Sequence, residues 1–171
     1  MVDLRAKPYY LDDEGVKWVM DTIASMTDEE KVGQLFVNMV TDFSEEGIAR
    51  VAKKYHPGAL RYHNKSPEEL WTMIKTFQEN SRIPLLVASN CEGGGNGGVG
   101  GGTAVACGAA TAASKDPEVA YLTAKVGGTE AMAIGSNWNF APIVDLLQNW
   151  RNTIVQLSLI HISEPTRHAQ I

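Results

Sequence analysis

Cysteine is nearly absent: Cys91 and Cys107 are the two thiols in 171 residues. Two are too few for a disulfide framework, so both are expected to be plain reduced side chains. Basic runs are missing too. With a net charge of −5 and no run of lysine or arginine, the chain offers no electrostatic footprint for a nucleic acid or an anionic membrane. No stretch of about 20 apolar residues exists to span a bilayer. The opening Met1-Val2-Asp3-Leu4-Arg5-Ala6-Lys7-Pro8 has no apolar core of the length a secretory signal needs, which points to a soluble, cytoplasmic protein. Histidine is scarce: His56 and His63 flank one short apolar run without tight zinc-ligand spacing, and the other two lie near the end of the chain, so no metal is expected. What is abundant is apolar residues, at 44%, enough for one globular domain.

The apolar residues alternate between two periods. Val16, Val19, Met20, Ile23 and Ala24 recur at helical spacing and should lie against a core. Thr27-Asp28-Glu29-Glu30 is a capping-box sequence opening a short helix. Gln34 to Val40 reads as a first strand. Ser44 to Tyr55 reads as a helix that stops before His56-Pro57, where proline disfavours helical geometry at the residue before it. Ala59 to His63 is a second strand. Ser66-Pro67-Glu68-Glu69 combines an N-cap, a first-turn proline and a third-position glutamate, so a helix runs from Pro67 to about Asn80 with Leu70, Met73, Ile74 and Phe77 as its stripe.

Pro84 to Ser89 reads as an inner strand, buried on both faces of a parallel sheet. Asn90-Cys91-Glu92 then leads into Gly93–Gly102, where eight of ten residues are glycine. Such a loop is costly to order and is kept where backbone must approach something closely or take positive φ. Asp116-Pro117 opens the next helix, with Val119, Leu122, Val126, Ala133 and Ile134 as its apolar face. Asn137 to Asp145 is the next strand. Strands alternating with helices in this rhythm argue for a parallel α/β sheet with right-handed crossovers.

Pro84-Leu85-Leu86-Val87-Ala88-Ser89-Asn90-Cys91-Glu92-Gly93-Gly94, followed by Ala133 to Asp145, resembles the N-terminal barrel domain of family-three glycoside hydrolases, the β-glucosidase and β-N-acetylhexosaminidase group. Met26 to Phe36 is similar to that family's entry segment. The resemblance implies an α/β fold, the N-terminal half of a TIM-type (β/α)8 barrel with four of eight strands. A complete barrel typically needs about 250 residues. It also implies a retaining exo-glycosidase acting on terminal β-linked glucose or N-acetylglucosamine, a small carbohydrate substrate and no cofactor.

In a barrel the active site lies at the carboxyl ends of the strands, where Glu92 and Asp145 both stand. Retaining glycosidases use two carboxyl groups roughly 5 to 5.5 Å apart. The resemblance nevertheless assigns the nucleophile and the acid/base to later segments beyond Val155, so no catalytic residue is expected in this chain. Substrate-binding candidates are Asn90, where the family commonly has an aspartate that bonds sugar hydroxyls, together with Glu92, Asp145 and Trp150. Glu92 and Asp145 could instead cap backbone amides near strand ends. Trp18, Trp71 and Trp138 read as packing residues. Trp150, after the last strand, is placed to line a mouth. A competing reading is nucleotide binding, since Gly95-Asn96-Gly97-Gly98-Val99-Gly100 formally matches a dinucleotide fingerprint. Its next helix, however, is expected only some fifteen residues after the last glycine.

From Leu157 to Arg167 the chain departs from the family pattern and is similar to the conceptual translation of a sequencing-library adapter. Residues 1–156 are therefore read as a partial hydrolase domain and 157–171 as an artificial or disordered tail.

Overall fold

The structure, a computed structural model, describes residues 2–143 and Arg151. Local signals position most of its helices. Asp12 caps helix α1 (Asp13–Ser25) by accepting from Gly15 N–H. Thr27 and Glu30 close a reciprocal capping box at α2 (Asp28–Gly33), and Ser66 and Glu69 do the same at α4 (Pro67–Asn80). Each box satisfies two amides that the first helical turn leaves without partners. Ser44 caps α3 (Glu45–Tyr55).

Between the helices lie β1 (Val37–Met39), β2 (Ala59–Arg61), β3 (Leu86–Ser89) and β4 (Trp138–Asn139), one sheet in the order β1-β2-β3-β4. Every pairing is parallel. A sequential order means the chain winds in one direction only; there is no reversal of strand order of the kind at which doubly wound sheets bind nucleotides.

Period-2 alternation sorts the strand residues between two faces. Leu60, Tyr62, Leu85 and Val87 point toward α3 and α4 and join Ile48, Ala52, Leu70, Met73, Ile74 and Phe77 in one buried cluster. Leu60 and Val87 are fully buried, so this helix-covered face is where the apolar driving force is concentrated. The opposite face is open. Registered across the strands at its carboxyl end are Met39, Arg61, Ala88 and Trp138, and Val37, Ala59 and Leu86 form the row beneath.

Several expectations change here. The third strand is buried on both faces at its carboxyl end, where Val87, Ala88 and Ser89 are covered, but not at its start, where Leu86 is 51% exposed. A continuous apolar run states that both faces are apolar, not that both are covered. Trp138 is likewise not core; it stands on the open face, 40% exposed, edge-on to Phe140 with ring centroids 4.7 Å apart. Helix α1 buries no residue, and its Trp18, Val19 and Ile23 line an open groove with Met26 and Ile83. Trp71 is exposed under Lys75, 5.1 Å from its ring. The strands are shorter than their apolar runs: Leu35 and Phe36 lie in the turn after α2, and His63 lies beyond β2.

Two further helices follow the glycine loop. Helix α5 (Gly108–Ala113), alanine-rich and without apolar periodicity, was not legible beforehand. Helix α6 (Pro117–Ala133) starts at the expected proline but turns a different face inward. Gly127 and Ala131 are buried with the following Ile134, while Leu122 and Ala133 are exposed. The small residues face in because a Cβ on Gly127 would lie 3.0 Å from the Cys91 Cβ. Helix α6 packs on backbone, not on an apolar layer.

Candidate functional site at the carboxyl ends of the strands

Strands β3 and β4 pair Ala88 with Trp138 and Ser89 with Asn139, so the segments that follow them leave the same end of the sheet. Asn139 joins those segments: its Oδ1 accepts from Cys91 N–H at 3.0 Å and from Ala141 N–H at 3.3 Å. That clamp holds Asn90, Cys91 and Glu92 against the start of the chain leaving β4. Asn137, two residues earlier, ties the same two strands together, its Oδ1 accepting from Val87 N–H at 2.7 Å.

Glu92 is half-buried and lines a cavity of about 90 Å³ with Thr111, Thr123, Asn139 and Ile143. Among the described residues its carboxylate accepts no hydrogen bond, and it caps no backbone amide there. Asn90 is half-buried, and its side-chain amide has no hydrogen-bond partner among the described residues. Of the four sequence candidates, the structure brings Asn90 and Glu92 to one rim. Asp145 and Trp150 lie outside the described residues, as does the segment 157–171.

The glycine loop is folded in beside this rim. Gly95–Gly97 makes a 3₁₀ turn, and Asn64 Nδ2 donates to the Asn96 carbonyl. A Cβ on Gly97 would lie 2.2 Å from the Asn90 carbonyl oxygen, so glycine there is what lets the loop lie on the strand end. On the other side Glu130 of α6 accepts from Thr103 N–H at 2.8 Å and from Thr103 Oγ1 at 2.5 Å. Those two bonds, the hydroxyl first, hold its carboxyl below the usual range. The packing role of Glu130 was missed in the sequence because nothing local marks a lone glutamate late in a helix as a loop anchor.

The same geometry removes the nucleotide reading. Gly97, Gly98 and Val99 donate their N–H groups back into the turn, to Gly94 and Gly95, and Gly100 donates to the Lys65 carbonyl at 2.8 Å. The amides that would cradle a pyrophosphate are consumed. Cys91 and Cys107 are unpaired thiols, one buried and one exposed. Among the described residues no three histidine, cysteine or acidic side chains cluster as a metal site, and no helix is long and apolar enough to cross a membrane.

A larger cavity, about 690 Å³, opens at the edge of the sheet among Val32, Phe36, Val37, Met39 and Tyr55. Its lining is mostly apolar, with Asp28, Glu29, Asn38 and Lys54 also on it, and it includes no residue of β3 or β4.

A singly wound parallel α/β sheet with polar groups gathered where its strands end is the layout of barrel-type enzymes. The glycosyl hydrolase family 3 N-terminal domain model matches residues 27–160. The chain belongs to that family. A β-N-acetylglucosaminidase/β-glucosidase of Cellulomonas fimi is 36% identical over 154 residues, 90% of this chain and 27% of that protein. Among solved structures, a β-glucoside phosphorylase, BglX, bound to 2FGlc superposes with a TM-score of 0.77 at 37% identity, covering 84% of this chain and 26% of that one. A family member from Mycobacterium smegmatis superposes with a TM-score of 0.66 at 21% identity over 81% of this chain and 43% of that one, which supports the fold. The chain thus spans about a quarter of the first two relatives.

Proposed function

We propose that residues 1–156 are the opening half of the catalytic (β/α)8 barrel of a retaining, exo-acting β-glycosidase that removes a terminal glucose or N-acetylglucosamine. Asn90 and Glu92, with Asp145, form part of the wall that binds the sugar. The observation that carries this is the register of β3 and β4, which sends both chain segments out of one end of the sheet, where the Glu92 carboxylate has no partner among the described residues. A free carboxylate and a free carboxamide supply the acceptors and donors that sugar hydroxyls need. The nucleophile and acid/base, which this chain does not supply in this reading, come from other segments of the longer enzyme.

The test is release of nitrophenol from nitrophenyl β-glucoside and β-N-acetylglucosaminide by the full-length enzyme. Turnover of either supports the reading, and turnover of neither rejects it. A second reading concerns the acceptor, and it is favoured by the 37% identity to a structure named as a phosphorylase. There the C1–O bond to the aglycone breaks, the aglycone oxygen takes a proton, and a phosphate oxygen forms the new bond to C1. The product is then a glycosyl phosphate instead of the free sugar.

A further inference from the structure

The carboxyl-end row of the open face holds a charge without an ion-pair partner among the described residues. Arg61 is the last residue of β2, flanked in register by Met39 on β1 and Ala88 on β3. Leu60 and Tyr62 on either side of it enter the helix-covered core, so Arg61 points to the open face. It is half-buried, and among the described residues its guanidinium makes no ion pair and no hydrogen bond. This sets it apart from Arg5, Arg50 and Arg82, each paired with a carboxylate.

The Phe140 ring lies beside it, its centroid 5.6 Å from the guanidinium carbon. A ring face fixes the guanidinium plane and holds it by cation–π attraction while leaving the N–H fork unused. Ala88, its neighbour in register on β3, is fully buried and has no polar side-chain group to offer the fork. A guanidinium that is partly desolvated, oriented and left with five donors is arranged for a bidentate oxyanion. It stands one row below Ser89, at the same end of the sheet as Asn90 and Glu92.

We propose that Arg61 is the seat of a phosphate-like oxyanion in the mouth of the site, with Phe140 as its positioning partner. The identity of the anion as an acceptor phosphate rests on the second reading above; the existence of the anion seat does not. The experiment uses the full-length protein and inorganic phosphate at constant ionic strength in chloride. Binding is followed by calorimetry, and protection of Arg61 from an arginine-selective dicarbonyl reagent by peptide mass spectrometry.

Phosphate is expected to slow modification of Arg61 several-fold and to leave Arg50 and Arg82 unaffected. Arg61→Gln is expected to weaken phosphate binding at least tenfold and Arg61→Lys to weaken it less, while Lys53→Gln, an exposed cation elsewhere, leaves it as in the parent. Tighter binding of a glycosyl phosphate than of inorganic phosphate identifies a phosphorylated sugar as the ligand, and the reverse identifies the free ion. No phosphate-dependent protection of Arg61 overturns the proposal even if Arg61→Gln fails to fold. Phosphorolysis that is independent of Arg61 overturns it while leaving the second reading intact. Arg61-dependent phosphate binding without phosphorolysis retains the anion seat and rejects that reading.

Discussion

Alanine at Gly97 and alanine at Gly93 should behave in opposite ways, although the two glycines lie four residues apart in one loop. At Gly97 the new Cβ would sit 2.2 Å from the Asn90 carbonyl oxygen and 3.1 Å from the Cys91 Cα. Both contacts are backbone, so no side-chain rotation relieves them, and the gap must open by roughly 1 Å to reach ordinary van der Waals distance. Overpacking of this kind costs about 1–3 kcal/mol, which in a domain of this size lowers Tm by roughly 2–4 °C per kcal/mol. At Gly93 a Cβ meets nothing within 4 Å and φ is not positive. Removing backbone freedom from the unfolded chain should therefore leave Gly93→Ala neutral or about 0.4–1 kcal/mol more stable. Urea denaturation and thermal melts of both variants measure this directly. Because Gly97 presses on the residue that should bind sugar, Gly97→Ala should also lower kcat/KM in the full-length enzyme, with Gly93→Ala close to the parent. Equal costs at the two positions would refute the view that the loop's glycines are kept for close packing.

Other outcomes follow from the same contacts. Leu60→Ala, in the fully buried middle of the core, should cost about 2–5 kcal/mol in urea denaturation. Ser66→Ala removes half of the α4 capping box and should cost about 1 kcal/mol. Burial pushes the Tyr62 phenol up to about 12. A raised value means the unfolded chain ionises first, so the Tyr62 contribution is complete below pH 10 and falls by about 1.4 kcal/mol per pH unit from there towards pH 12. Tyr62→Phe should flatten that alkaline loss, as pH-dependent melts can show. At acid pH the signs reverse. Backbone and hydroxyl bonds hold Glu30, Asp42, Glu69 and Glu130 below their ordinary range. Their contribution is present above those ordinary values and is lost as pH falls through the lowered ones, so Glu130→Gln should weaken the acid dependence of loop proteolysis near Thr103.

Apart from α5, element order, helix starts and the parallel sheet were legible because their signals are local: Ser66-Pro67-Glu68-Glu69 and Asp116-Pro117 state where helices begin whatever surrounds them. Coverage was not legible. The stripes of α1 and α6 are apolar, yet α1 buries nothing and α6 turns Gly127 and Ala131 inward. What lies opposite a face is decided by distant residues, here the glycine loop packed on α6. The candidate site was legible in part for the same reason. Glu92 could be named from its place after a strand and Asn90 from the family resemblance, whereas Arg61, Glu130 and Asn139 acquire meaning only through partners 27 to 79 residues away.

The sugar-binding wall is tested most directly by steady-state kinetics of Glu92→Gln and Asn90→Ala in the full-length enzyme with nitrophenyl β-glucoside and β-N-acetylglucosaminide, each variant first shown to melt like its parent. Loss of at least tenfold in kcat/KM for both variants is the predicted result. Parent-like kinetics in both would mean that the carboxyl ends of β3 and β4 do not face the sugar.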